Sequence, residues 1–293
     1  MRRPRIAVLG AGAAAVTVAR ALRLSGWPVA AACRRDPARA RAAARAIGGG
    51  TRASTDAARA ARGADLVLVG VRDGEIASLA EALAAAGTVR PGALVVHLSG
   101  AVPSAALAPL RAAGARTASL HPLQTFAAPP GPGGGGADLR GVRWFHEGDA
   151  RGECGALVRR LGGRLRPLDP ARKALYHAAA VAASNYLVAV EDLAVRLAVG
   201  AGIPRGEALE ALLPLVRGTV RNLEARGLPA ALTGPVARGD AETVRRHRRA
   251  LRALDPDLDA TYAALGRHAL RVARERGLAK ARAAAVARAL ASR

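Results

Sequence analysis

Short apolar runs alternate with longer amphipathic stretches over the first 169 residues. The runs at Ile6–Leu9 and 66–71 have the length of strands and contain no polar residue, which is typical of strands buried on both faces of a parallel sheet. Between the runs lie Ala-rich stretches with helical spacing, such as 13–25 and 75–86. This alternation predicts a doubly wound α/β domain in which ligands bind at the carboxyl ends of the strands.

The pattern changes near residue 169. No strand is predicted beyond that point, and the remaining sequence has helical spacing over about 171–199, 205–226, 240–252, 257–276 and 279–291. We therefore expect two domains, an α/β domain over 1–169 and an all-α domain over 170–293. A Pro- and Gly-rich stretch at 127–137 predicts a surface loop, and whether it closes over a site stays open.

The turn after the first predicted strand contains a glycine-rich pattern that can bind a ligand. Gly10-Ala11-Gly12-Ala13-Ala14-Ala15 fits the dinucleotide-binding pattern G-x-G-x-x-A. The first glycine permits the turn, the second lets a pyrophosphate approach the backbone, and the third small residue lets helix and strand pack closely. The free N–H groups of the helix then face the phosphates. The sequence predicts a nucleotide site here.

The end of the second predicted strand indicates which dinucleotide is bound. Arg34 and Arg35 stand where NAD-binding domains place an acidic residue, and arginine there suits the 2′-phosphate of NADP. The alternative is two more arginines in an arginine-rich chain. Asp36 is predicted to cap the helix that begins at Pro37. Val71, Ser99 and Gly100 follow other strand ends and are expected to contact the cofactor.

Charge suggests a second class of partner. The chain has a formal net charge of +23, with 45 Lys and Arg residues of which only Lys173 and Lys280 are lysines. This usage resembles that of a GC-rich genome, and the arginines are spread along predicted helices. The densest run, residues 245–249, has no interleaved aromatic residues. We therefore do not expect specific nucleic-acid binding.

Cysteine content and apolar length bear on the compartment. Cys33 and Cys154 form neither a metal-binding spacing nor a disulfide framework, which fits a reducing cytoplasm. No metal site is expected. The longest apolar stretch, 178–190, is shorter than the ~20 residues that a membrane span requires, so no membrane association is expected.

Three residues are candidates for catalysis. Lys173 and His177 lie one helical turn apart and share a face; the alternative is a solvent-facing lysine and a packed histidine. An ammonium can release a proton when buried, whereas a guanidinium stays charged. His121 is predicted in a loop after a strand, where an imidazole could protonate an oxygen. His97 is expected to be packed, and His146, His247 and His268 are expected at the surface.

A last distinctive stretch is Thr233-Gly-Pro-Val-Ala-Arg238-Gly-Asp240. It interrupts helical sequence, and Asp240 can cap the next helix. The functional interpretation is an anion pocket in which Thr233 and Arg238 hold a carboxylate. The alternative interpretation is a connector between two helices.

Together these segments resemble one family, the Rossmann-like predicted oxidoreductases with a C-terminal helical domain of unknown function (2520). The family is similar to ketopantoate reductase, pyrroline-5-carboxylate reductase, and the 3-hydroxyisobutyrate and prephenate dehydrogenases. The resemblance covers nearly the whole chain. It rests on the motifs at 8–12, 97–100, 120–126, 173–180, 183–186 and 232–240.

The resemblance implies a Rossmann domain followed by a helical domain arranged like that of 6-phosphogluconate dehydrogenase, which binds substrate and forms a homodimer. It implies that Lys173 binds the reacting oxygen, although His177 stands where hydroxyisobutyrate-type enzymes have asparagine. His121 matches a substrate-contacting histidine of prephenate dehydrogenases. Thr233 matches, more loosely, the carboxylate-binding turn of pyrroline-carboxylate reductases. The expected substrate contacts are Ser99, His121, Gln124, Lys173, Asn185, Thr233 and Arg238.

The expected activity is NADPH-dependent reduction of a small 2-oxo acid, with ketopantoate as the leading substrate. Either His121 or His177 would supply the proton. An imine reductase or a hydroxy-acid dehydrogenase on the same scaffold is an alternative. A protein that binds NADPH or nucleic acid without catalysis is a second alternative. The substrate and the direction of the reaction stay open, because a shared fold does not determine either.

Overall fold

The computed structural model describes residues 3–126 and 137–291. The chain divides into two compact units, a first unit of residues 1–184 and a second unit of residues 185–293. The first helix beyond residue 169 is therefore part of the first unit. Most of the loop predicted at 127–137, namely residues 127–136, lies outside the described residues.

The first unit contains one eight-stranded sheet. Its order is β3-β2-β1-β4-β5-β6-β7-β8. In chain order the strands are β1 (Ile6–Leu9), β2 (Val29–Cys33), β3 (Arg52–Ser54), β4 (Leu66–Val69), β5 (Leu94–His97), β6 (Arg116–Pro122), β7 (Arg143–Gly148) and β8 (Arg164–Pro167). Strands β1 to β6 pair in parallel.

One edge of the sheet is not parallel, because β7 pairs with β6 antiparallel, and β8 then pairs parallel with β7. A parallel neighbour needs a crossover connection, usually a helix, whereas an antiparallel neighbour needs only a loop. The segment between β6 and β7 is rich in Pro and Gly, so it lacks the sequence of a crossover helix.

Helices cover both faces of this sheet. They are α1 (Ala13–Leu24), α2 (Pro37–Ile47), α3 (Ala57–Ala61), α4 (Ile76–Ala85), α5 (Ala108–Ala112) and α6 (Arg151–Arg160), and a seventh helix, α7 (Lys173–Ala183), follows β8. The predicted cap of α2 is confirmed, since the Asp36 side chain accepts a hydrogen bond of 2.6 Å from Arg39 N. Side chains alternate along β1, so that Ile6 and Val8 join one core cluster while Ala7 and Leu9 join the other. Burial on both faces explains the continuous apolar runs.

Helices are the only regular secondary structure among the described residues of the second unit. It contains α8 (Asn185–Gly200), α9 (Arg205–Arg226), α10 (Gly234–Arg238), α11 (Ala241–Leu254), α12 (Pro256–Glu275) and α13 (Lys280–Ala291). Val244, Leu270 and Val286 lie in the core that α10 to α13 share. Buried Arg248 pairs with Asp259 at 2.7 Å and donates to the carbonyl oxygen of Leu290 at 2.7 Å. The guanidinium thereby satisfies carbonyls at the end of α13.

A single helix over about 171–199 was expected, and this is wrong at one residue. Helix α7 ends at Ala183 and α8 begins at Asn185, with Ser184 at φ −123° and ψ −66°. By length and composition alone, the stretch Pro170–Gly200 is apolar enough to cross a membrane, contrary to the expectation that no stretch is. Much of its apolar surface is exposed, including Val188 at 70%.

Candidate functional site

The turn after β1 has the geometry of a phosphate cradle. Gly10 has a φ of +72°, and a Cβ at this position would lie 2.5 Å from Val71, so both the conformation and the space require glycine. Gly12 has a φ of −81°, and a Cβ there would meet nothing closer than 3.9 Å. The space in front of Gly12 is therefore open to a ligand. Gly12 begins α1 without a side chain to cap it, which leaves the N–H groups of the first turn facing that space.

Close packing under the turn explains the third small residue. A Cβ on Gly70 would lie 2.6 Å from the Cβ of Ala15, so α1 approaches the end of β4 as closely as side chains allow. Two small residues at this contact bring the start of α1 against the carboxyl edge of the sheet. This is the role that the fingerprint assigns to its third position.

Guanidinium groups surround the adjacent cavity. The cavity has a volume of about 480 Å³ and is lined by Gly10, Gly12, Arg34, Arg35, Arg39, Arg72 and Glu75, among others. Arg34 donates to the carbonyl oxygen of Ala11 at 3.0 Å, which fixes it against the turn. Arg35 is exposed and pairs with Glu75 at 2.7 Å. An amide-lined turn beside four arginines fits a dinucleotide that carries an additional phosphate.

A second cluster forms where β5 and β6 end. The Ser99 hydroxyl accepts hydrogen bonds from Ala101 N at 3.1 Å and Val102 N at 3.0 Å, which orders the turn after β5. At the next residue, Gly100, a Cβ would lie 2.9 Å from His177 Cδ2 and 3.0 Å from His121 Nε2. The structure thus brings both candidate histidines to Gly100.

His121 is the best-defined side chain of this cluster. It belongs to β6, whereas the sequence predicted a loop, because β6 continues to Pro122 alongside β7. Its Nδ1 lies 2.6 Å from the hydroxyl oxygen of Tyr176. Burial, followed by the nearby His177 and Lys173 charges, lowers the pKa of His121 to about 4. At neutral pH the ring is therefore uncharged.

Two other histidines lie in the interior of the first unit. His97 is fully buried as predicted, and burial together with the Lys173 charge lowers its pKa to about 4. His146 was expected at the surface and is in fact 4% exposed. The reason is that His146 lies in β7 two residues after Trp144, so both side chains share the inward face of the strand.

Lys173 is almost completely buried, at 1% exposure. Its Nζ donates to the Ser119 hydroxyl at 2.6 Å and to the Ser99 carbonyl at 3.4 Å, and it lies 3.7 Å from Glu147 Oε1. Burial lowers the pKa of Lys173, and the Glu147 carboxylate opposes this effect. Through its hydrogen bond to the Ser99 carbonyl, the buried Lys173 ammonium holds the turn that carries Ser99.

Glu147 completes this buried network. Its two carboxylate oxygens accept hydrogen bonds from the backbone N–H of Ser104 at 2.5 Å and from the Ser104 hydroxyl at 2.6 Å. Neither Glu147 nor Ser119 was identified from sequence, since both approach Lys173 only through the sheet. Tyr176 was also missed, although it lies three residues after Lys173 and next to His177, a spacing that could have indicated it.

The remaining predicted residues lie elsewhere. Gln124 is exposed, and its side-chain oxygen accepts from Thr125 N at 2.8 Å. Asn185 is exposed and opens α8 in the second unit. Thr233 and Arg238 lie at the two ends of α10, also in the second unit, and both are exposed. The residues that the first unit brings together are thus Ser99, Gly100, His121, Lys173 and His177.

Two family models match the chain. Residues 1–122 match a Rossmann-like domain, and residues 146–269 match a domain of unknown function, DUF2520. The two matched regions follow one another in the order that the motifs indicated. No curated protein sequence is similar enough to the chain to be matched.

Solved structures share the fold over most of the chain. A protein from Bacteroides fragilis, named as a candidate NADP oxidoreductase, is 25% identical with a TM-score of 0.75, over 91% of this chain and 98% of its own. A reductive aminase from Aspergillus terreus, solved with NADPH and ethyl levulinate, is 17% identical with a TM-score of 0.62, over 97% and 99%. A pyrroline-5-carboxylate reductase from Coxiella burnetii is 17% identical with a TM-score of 0.57, over the full length of both chains.

Proposed function

We propose that this chain, which joins a Rossmann-like domain to a DUF2520 domain, is an NADPH-dependent reductase of a small 2-oxo acid, with ketopantoate as the leading substrate. The observation that carries the proposal is the cradle at Gly10 and Gly12, which lies at the same edge of the sheet as His121. The structural neighbours named as NADP oxidoreductase or solved with NADPH support the same cofactor.

Arginine chemistry favours NADP over NAD. Arg34 and Arg35 follow β2, where a 2′-phosphate would meet them, and Arg39 and Arg72 line the same cavity. The Asp36 carboxylate is engaged as the cap of α2, so it is not offered to a ribose hydroxyl. Guanidinium groups bind phosphate through paired hydrogen bonds. When bound, the cofactor supplies the hydride.

The side chains near Gly100 would hydrogen-bond to the substrate and transfer a proton to it. A neutral His121 can donate a hydrogen bond from Nε2, which would polarise the carbonyl of the substrate. It carries no additional proton at neutral pH, so we assign the proton transfer to His177. Lys173, behind the Ser99 turn, would stabilise the negative charge that develops on the oxygen through its field, because buried charges are weakly screened.

The second unit carries the expected carboxylate-binding pair and the apolar surface that would form a dimer contact. Thr233 and Arg238 are exposed and polar, as a carboxylate-binding pair requires. Helices α8 and α9 expose apolar side chains such as Val188 (70%) and Leu215 (69%), which supports a homodimer. The buried, unpaired thiols of Cys33 and Cys154 are compatible with a cytoplasmic enzyme.

Reduction of a C=N bond is the second candidate activity. It is favoured by the fold shared with the reductive aminase and the pyrroline-5-carboxylate reductase. The same hydride donor and the same proton source would serve a C=O bond or a C=N bond. The fold therefore does not distinguish the two activities.

The test is an assay of NADPH oxidation against a panel of 2-oxo acids, including ketopantoate, and of cyclic imines, including 1-pyrroline-5-carboxylate. We expect turnover of a 2-oxo acid and a loss of about 100-fold in kcat for His177→Asn. The matched control is His268→Asn on the exposed face of α12, which should retain wild-type kcat. Turnover of imines alone would select the second candidate, and no turnover in the panel would reject both.

A further inference from the structure

Two tyrosine–histidine pairs in the chain share almost the same geometry. In the first unit, the Tyr176 hydroxyl lies 2.6 Å from His121 Nδ1, with the rings edge-on at 5.5 Å and 87°. In the second unit, the Tyr262 hydroxyl lies 2.8 Å from His247 Nδ1, with the rings edge-on at 5.9 Å and 82°. The first pair adjoins the candidate site at Gly100, so the second serves as a natural control.

The direction of the first hydrogen bond follows from acidity. Burial raises the pKa of Tyr176 and lowers that of His121 to about 4, so a neutral phenol meets a neutral imidazole. The phenol O–H is the stronger acid and the bare ring nitrogen is the stronger acceptor. The Tyr176 hydroxyl therefore donates to His121 Nδ1. A ring that accepts at Nδ1 carries its hydrogen on Nε2.

Packing holds the donor in place. The register of β6 and β7 sets Phe145 directly opposite His121, and the Tyr176 ring packs on Phe145 with centroids 4.6 Å apart. Tyr176 is thus fixed by a ring contact to Phe145 of β7 and by a hydrogen bond to His121 of β6. The Nε2 atom of His121 in turn lies against Gly100, where a Cβ would come within 3.0 Å of it, so the ring fits there only because residue 100 has no side chain.

We propose that Tyr176 is a positioning residue, whose hydroxyl holds His121 in the tautomer with its hydrogen on Nε2, the ring nitrogen on the side of Gly100. The inference rests on the proposed function only for its consequence, namely that this N–H polarises the reacting oxygen or nitrogen of the substrate. The hydrogen bond and the tautomer can be tested without any substrate.

The experiment compares wild type with Tyr176→Phe by ¹⁵N–¹H NMR of histidine-labelled protein at neutral pH, with His121 assigned from a His121→Gln sample. In wild type, we expect His121 to show a protonated Nε2 and an Nδ1 shifted by an accepted hydrogen bond. In Tyr176→Phe, that shift of Nδ1 should be lost and a form protonated on Nδ1 should become measurable. We expect kcat to fall about tenfold while the Kd for NADPH stays unchanged.

Tyr262→Phe is the matched control. It removes the same hydroxyl from the other pair, so it should alter the His247 spectrum in the same way and leave kcat at the wild-type value. A His121 spectrum unchanged by Tyr176→Phe, or a wild-type His121 protonated on Nδ1, overturns the proposal. A changed His121 spectrum with unchanged kcat overturns the catalytic consequence. Absence of turnover in wild type would count against the proposed function and not against the tautomer result.

Discussion

Glu147→Gln removes the counter-charge of Lys173 and keeps the shape of the side chain. The amide that replaces the carboxylate can still bond to Ser104, since the Ser104 hydroxyl can rotate to accept. What is lost is the attraction between the carboxylate and an ammonium at 3.7 Å, with both side chains less than one-tenth exposed. At an effective dielectric constant near 20, this attraction is about 4 kcal/mol, and breaking a buried pair typically costs about 3–5 kcal/mol.

The stability lost on Glu147→Gln substitution should depend on pH. Without the carboxylate, burial lowers the pKa of Lys173 still further below its ordinary value. The unfolded chain then binds a proton that the folded variant does not, so the free energy of unfolding of the variant rises with pH. We expect the deficit relative to wild type to shrink by on the order of 1–2 kcal/mol between about pH 7 and pH 9.

The assay is chemical denaturation followed by circular dichroism at both pH values. Glu147→Gln/Lys173→Met, which replaces the pair by neutral groups, should recover most of the lost stability. The control is Asp259→Asn, which breaks the buried pair with Arg248. Because a guanidinium does not deprotonate, its deficit should be the same at both pH values. A Glu147→Gln deficit below about 1 kcal/mol, or one that does not vary with pH, would refute the reasoning.

Three further outcomes follow from the structure. Replacing Arg34 and Arg35 together by Ser should raise the Kd for NADPH by about 100-fold and leave the Kd for NADH nearly unchanged, as measured by calorimetry; equal losses would reject a 2′-phosphate site. The free energy of unfolding should fall as the pH drops from 6.5 to about 4, by on the order of 3 kcal/mol for His97 alone, because the unfolded chain takes up protons that the buried ring refuses. His97→Asn should flatten that dependence, and an equally steep variant would exclude His97 as its source. In analytical ultracentrifugation wild type should sediment as a dimer and Val188→Asp/Leu215→Glu as a monomer; a monomeric wild type would contradict a dimer built on α8 and α9.

Local signals predicted the nucleotide turn well. Strand β1 begins and ends where predicted, because its apolar run stops at Gly10, which requires a positive φ. Helix α2 begins at Pro37 as predicted, because the Asp36 side chain caps it. Both effects act within a few residues, so the sequence contains them. Ala15 differs, because its size matters against Gly70, which is distant in the chain, and only the fingerprint pattern indicated it.

Contacts between residues that are far apart in the chain could not be predicted from the spacing of residues along the sequence. Lys173 attracted attention as one of two lysines, yet its partners Ser119 and Glu147 lie far from it in the chain and meet it only when β6 and β7 pair. The antiparallel edge formed by β7 also buried His146 and extended β6 through His121. Each of these errors has one origin, namely a strand pairing that depends on topology and not on local pattern.

Titration of NADPH into wild type and Gly12→Ala by isothermal calorimetry tests the central claim most directly. A Cβ at Gly12 would meet no protein atom within 3.9 Å and the backbone φ of −81° accepts alanine, so the variant should fold with an unchanged Tm. The account predicts micromolar binding to wild type and a loss of at least about tenfold in affinity for the variant, because the methyl group would occupy the place of the pyrophosphate. Equal affinity for the two proteins, or no binding to wild type, would contradict it.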